Sequence, residues 1–167
     1  MKRFLLLFGL SVLLQSCFYT HRARKIDVYE LDQHKKQTLS TFVFEYPGDE
    51  KDFEKQSISF FKIAKSYMPL NFTTDRLYSS EDLNVFMYKS VDKDVMVNLL
   101  GFIIRESLKT DNENLNDKDE DPNPDTTYYH FVHIQVTDQD GNDVLTGSGM
   151  KSKAVINQLI RYKNYLN

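Results

Sequence analysis

Four groupings of side chains have residue types and spacings that bear on chemistry. In the acidic run, Asp117, Asp119, Asp121, Asn123 and Asp125 put an oxygen ligand at every second position, as a calcium-binding EF-hand loop does. The likeness stops where an EF-hand is most demanding, because the turn position that needs Gly is Pro122 and the bidentate Glu position is Tyr128. The mismatch disfavours calcium at this loop, and no other cofactor is expected. The looser expectation is that Asp117, Asp119, Glu120 and Asp121 form an acidic arm that meets a basic protein partner. A second oxygen-rich cluster, Asp138, Asp140, Asn142 and Asp143 around Gly141, has the composition a tight turn wants for backbone reasons alone. Gly147-Ser148-Gly149-Met150-Lys151 lacks the four-residue spacing between glycines and the adjacent Lys of a phosphate-binding loop, and is expected to be a plain strand-to-helix connection. His130 and His133 are three apart, so a strand sends their rings to opposite faces and they cannot chelate one metal. Sequence spacing supports no Ser-His-Asp or paired-carboxylate arrangement, and no catalytic residue is assigned.

The one cysteine carries a different chemistry. Lys2 and Arg3 lead into a short apolar run from Phe4 to Leu14, well below the span of about 20 residues that crosses a bilayer as a helix. The run therefore has the form of a signal-peptide core. With Leu14-Gln15-Ser16-Cys17 at its end, the chain resembles bacterial lipoprotein precursors, whose lipobox places Leu a few positions before an obligatory Cys. Leu14, Ser16 and Cys17 match, and Gln15 stands where the usual residue is small. The resemblance implies cleavage before Cys17 and acylation of its thiol, which leaves 151 of the 167 residues and takes the net charge from −3 to −5 as Lys2 and Arg3 go. Each buried CH₂ contributes about 0.8 kcal/mol, so two or three acyl chains anchor a protein essentially permanently. Phe18 after the Cys, rather than an acidic residue, implies the outer membrane. The basic run Thr20 to Lys25 implies the periplasmic face rather than surface export.

Composition narrows what the rest can be. A chain with 41% apolar residues, 12 Phe and 10 Tyr is no disordered polypeptide, and 6 Gly with 4 Pro exclude collagenous and low-complexity readings. One Cys excludes an intrachain disulfide framework and any zinc site built on several thiolates. A net charge of −3 argues against nucleic acid as a partner.

The expected domain organisation is a signal peptide over 1–16, an acylated tether over 17–25 and a single domain over 26–167. Two strands are expected, one around Ile26 to Leu31 and one over Thr38 to Tyr46, joined across Asp32 to Lys36. Asp49 is placed to cap a helix over 50–67 whose apolar set is Phe53, Phe60, Phe61, Ala64, Tyr67 and Met68, with Pro69 as its stop. Leu83 to Tyr88 reads as a strand. Residues 94–109 mix a β-branched start with a helical face, and a helix capped by Asp94 is preferred. Residues 111–125 hold seven acidic side chains and one Lys, which cannot bury a core and predict a solvated loop. Tyr128 to Val136 predicts a long strand, Gly141 a turn, Val144 to Ser148 its hairpin partner, and residues 152–166 an amphipathic helix. These elements predict an α+β fold, an antiparallel sheet of about five strands packed by helices. The strand aromatics Phe42, Phe44, Tyr46, Tyr128, Tyr129 and Phe131 imply rings on both sheet faces, with Tyr46 and Tyr128 as a protein-binding patch should they prove to be exposed neighbours.

The leading functional expectation is a non-enzymatic, membrane-anchored accessory or assembly factor of a cell-envelope complex that binds another protein. An immunity or inhibitor lipoprotein that neutralises a toxin or enzyme is the alternative. A periplasmic ligand-binding or hydrolase domain is a further one, and would require a concave pocket.

Overall fold

The contiguous apolar run Phe42-Val43-Phe44 within Thr41–Glu45 makes a strand whose two faces are both in demand. In the computed structural model this strand, β3, has Phe42, Val43 and Phe44 buried. The structure describes residues 17–32, 39–64, 68–98 and 126–166, without the side chains of 17–20 and 96–98. They fall into two compact units, one of residues 17–23, 93–98 and 126–128, the other of residues 24–92 and 129–166.

In the larger unit β2 (Glu30–Asp32) pairs antiparallel with β3 through Glu30↔Val43, Leu31↔Phe42 and Asp32↔Thr41, the pair expected from the two β-rich segments. On its other side β3 pairs antiparallel with β6 (Thr126–Thr137), with Phe44 opposite Val132 and Phe42 opposite Ile134. The long β5 (Leu83–Asn98) lies next to β6, and its start pairs antiparallel with β4 (Leu70–Thr74), Leu70↔Met87 through Thr74↔Leu83. Five strands and two helices make the expected α+β fold. β4 was not expected, because Leu70-Asn71-Phe72-Thr73-Thr74 offers only two apolar side chains, and it exists by pairing with β5.

Helix α1 (Glu50–Phe61) starts where its cap predicts. Asp49 is extended and its carboxylate accepts a hydrogen bond from Lys51 N–H at 3.0 Å. It stops earlier than Pro69 implies, because Lys62 takes a left-handed conformation and its N–H returns to Ile58 O. Ala64 is therefore exposed beyond the helix, and Tyr67 lies outside the described residues. Helix α2 (Met150–Leu166) buries Val155, Leu159, Tyr162 and Leu166 at the predicted three-and-four spacing.

Both helices cover one sheet face. Tyr162 is fully buried with ring centroids 4.8 Å from Phe61, 5.1 Å from Phe60 and 6.4 Å from Phe44 and Phe53, a cluster of tilted and edge-on rings. The opposite face holds a smaller cluster of Ile26, Val43 and Phe131 with Tyr129 against it, so rings do occupy both faces. Arg24 ties the start of this unit to β2. Its guanidinium donates to Asp32 at 2.7 Å and to Glu30 at 2.8 Å, and these carboxylates, Asp32 foremost, hold its pKa above the usual arginine value.

In the smaller unit β1 (Cys17–His21) pairs antiparallel with the end of β5, Cys17 opposite Asn98 and Phe18 opposite Val97, with a bulge between Tyr19 and His21. Ala23 N–H donates to an Asp94 oxygen at 2.6 Å. One expectation is corrected here. Residues 94–98 are strand, not the start of a helix, and the Asp94 carboxylate serves the Ala23 backbone instead of capping; residues 99–109 lie outside the described residues. Within residues 17–25, the segment expected as a tether, β1 spans Cys17–His21 and Ala23 is buried.

The turn after β6 is as predicted, with Gly141 at φ 82°. Asp138 organises it by accepting from the backbone N–H groups of Asp140 and Asn142 and from the Asn142 amide. These bonds, the Asn142 side chain first, hold its carboxyl below the usual range. The strand expected over Val144 to Ser148 is reduced to a single bridge, Thr137 to Asp143. One Asp143 oxygen accepts from Leu145 N–H at 2.8 Å and the other from Ser40 N–H at 2.7 Å, and this local turn displaces a ladder.

Candidate functional site

Strand alternation explains where a site can form. The helix-covered row of β5 reads Leu83, Val85, Met87, all buried, and then Lys89. The matching row of β6 reads Val136, Ile134, Val132, also buried, and then His130. The neighbouring row of β3 reads Phe42, Phe44 and, just past its end, Tyr46, whose N–H donates to His130 O at 2.9 Å. The apolar pattern thus changes at one level of the sheet, where Pro47-Gly48 turns the chain into α1.

At that level the larger unit has a cavity of about 630 Å³ lined by Pro47, Gly48, Asp49, Glu50, Lys89, Ser90, Val91 and His130. This volume is in the range of about 300–1,000 Å³ usual for small-molecule sites. The Lys89 ammonium is 5.6 Å from the Tyr46 ring centroid and 5.7 Å from that of Phe53, cation–π distances that steady it at the wall. Asp49 spends one oxygen on the α1 cap, and Glu50 stands beside it in the first turn. Tyr46 is 4% exposed; burial first, then the charges of Asp52 and Asp49, pushes its phenol up. Gly48 is required behind this ring, since a Cβ there would come within 2.3 Å of the Tyr46 ring carbon and hydroxyl.

On the other sheet face His133 stacks on Tyr88 with centroids 4.5 Å apart and planes 6° from parallel, and its Nε2 is 2.7 Å from Ser90 Oγ. The two histidines thus face opposite ways, as their spacing requires. Burial, followed by the Asp32 charge, raises the Tyr88 phenol.

The residues singled out from sequence are distributed differently from the cavity. Tyr46 is core, behind the cavity, so it cannot be half of an exposed tyrosine pair. Tyr128, in the smaller unit, is 49% exposed with the Lys93 ammonium 6.0 Å from its ring centroid. Asp117, Asp119, Glu120 and Asp121 lie outside the described residues, as does the whole run 111–125. Cys17 opens β1. Lys151, in the first turn of α2 just after the Gly-Ser-Gly connection, pairs with Glu81. Among the described residues no three His, Cys, Asp or Glu side chains are grouped to hold a metal ion, and no helix is long and apolar enough to cross a membrane. Lys89 carried no sequence signal by itself; the alternation of β5 beyond the buried Leu83, Val85 and Met87 reveals it as a charge on an apolar row.

Comparison with protein-family models, curated proteins and solved structures finds no match.

Proposed function

We propose that the chain is a bacterial lipoprotein, acylated on Cys17, that holds a protein-binding α+β domain at the periplasmic face of the outer membrane as a non-enzymatic accessory of a cell-envelope complex. The observation that carries this reading is Leu14-Gln15-Ser16-Cys17 at the end of a short apolar run that follows Lys2 and Arg3. A thiol is the nucleophile such a sequence exists to present, since diacylglycerol is attached as a thioether. The described domain supports the reading in a second way. Its larger unit buries a contiguous core of 19 residues, so anchoring has a folded domain to display. Contact with the partner is assigned to the acidic run, Asp117, Asp119, Glu120 and Asp121, and to the exposed Tyr128, a residue type enriched at the centres of interfaces.

The test is a crosslinking capture from membranes with the tagged full chain beside Cys17→Ala. Envelope-complex subunits retained only by the wild type are the expected result. Capture of one soluble basic protein by both forms, with association that weakens steeply with salt, would replace the assembly role by inhibition of that protein.

A further inference from the structure

Beyond anchoring, the cavity at the start of α1 has a charge arrangement that selects a ligand class. A sheet row packed under helices is expected to stay apolar, and positions that break such a pattern need another reason to be there. Lys89 and His130 both break it, on adjacent strands, and both line the same space. Among the described residues neither side chain is hydrogen-bonded or ion-paired. Lys89 rests on the Tyr46 and Phe53 rings, which fix the ammonium without neutralising it. The same cavity is lined by Asp49, which has one oxygen left over from capping, and Glu50. A simple anion would meet two carboxylates, and a simple cation would meet Lys89. A molecule that carries both charges satisfies both sets of groups.

We propose that this cavity binds a small zwitterion, a free amino acid or dipeptide, with its carboxylate toward Lys89 and His130 and its ammonium toward Asp49 and Glu50. Gly48 also lines the cavity and packs closely against the buried Tyr46 ring. The assignment does not depend on acylation of Cys17.

The test is calorimetric titration of the full chain in detergent micelles with three probes: alanyl-alanine, N-acetylalanine, which lacks the ammonium, and alaninamide, which lacks the carboxylate. Saturable binding of the dipeptide is expected, with each single-charge probe weaker by about tenfold or more, the size of one lost charge-assisted hydrogen bond. Lys89→Met, which keeps the aliphatic stem over the rings, is expected to weaken the dipeptide by a similar factor while the circular dichroism spectrum is unchanged. His130→Gln gives an independent variant on the same wall, with a smaller loss expected. No heat from the dipeptide at millimolar concentration would overturn the proposal, as would equal affinity for N-acetylalanine or unchanged affinity in both variants. The probe comparison needs only the wild type, so a variant that fails to fold does not protect the idea.

Discussion

Tyr162 and Ser57 are both fully buried, and their hydroxyls form a directed chain from α2 to α1. Ser57 Oγ is 2.6 Å from Phe53 O, to which it must donate, and 2.5 Å from the Tyr162 hydroxyl, which must therefore donate to it. Removal of either partner has unequal consequences. Tyr162→Phe deletes the donor and strands no hydrogen, and costs about 0.5–1.5 kcal/mol, the net worth of a typical bond. Ser57→Ala leaves the Tyr162 hydroxyl enclosed by aromatic rings with no acceptor, a penalty of about 1–3 kcal/mol, offset by roughly 0.5 kcal/mol of better helix propensity. The decisive quantity is the double variant. Once Ser57 is gone the phenol is only a burden, so adding Tyr162→Phe costs nothing further and recovers part of the loss, a coupling of at least about 1 kcal/mol. Urea unfolding of the four proteins followed by far-ultraviolet circular dichroism measures this directly, since the chain has no Trp to report by fluorescence. Additive losses would refute the directed chain and show the two hydroxyls to be satisfied independently.

The same phenol sets the response to alkali. Burial raises the Tyr162 pKa, while an unfolded tyrosine titrates at about 10. The unfolded chain therefore loses this proton first. Stability is full below about pH 10 and falls by roughly 1.4 kcal/mol per pH unit above it, a slope that Tyr162→Phe reduces by one proton in a series of urea midpoints; an unaltered slope would contradict the assignment. Gly48→Ala forces a Cβ to within 2.3 Å of the buried Tyr46 phenol, which must shift. A loss of about 1–3 kcal/mol is expected from such overpacking, and an unchanged unfolding midpoint would mean that the ring has room to swing.

The elements that sequence reveals are those with local chemistry. Asp49 as a cap, Gly141 in its turn and the 155-159-162-166 face of α2 each rest on contacts within a few residues, and each is where the spacing predicts. What sequence misses is set by pairing over distance. β4 is a strand because Leu70 and Phe72 meet Met87 and Val85, although its own residues read as a polar connection. Residues 94–98 resemble a helix start until β1 supplies a partner, and Asp94 then serves the Ala23 backbone. The segment after Gly141 has β-branched residues but lacks a ladder, because the Asp143 side chain binds backbone in its place. The cavity follows the same rule. His130 reads as an ordinary sheet residue and Tyr46 as a surface candidate until the pairing of β3 with β6 shows His130 to follow the apolar row and Tyr46 to be buried beside it.

The proposed function stands first of all on the fate of Cys17, and the most direct measurement is mass spectrometry of the N-terminal peptide of the chain purified from bacterial membranes. A peptide that begins at Cys17 and carries the added mass of a diacylglyceryl thioether, with or without a further acyl chain on the amine, is the predicted result. A peptide that retains Leu14-Gln15-Ser16 ahead of an unmodified thiol, or one that begins elsewhere with Cys17 free, would contradict it.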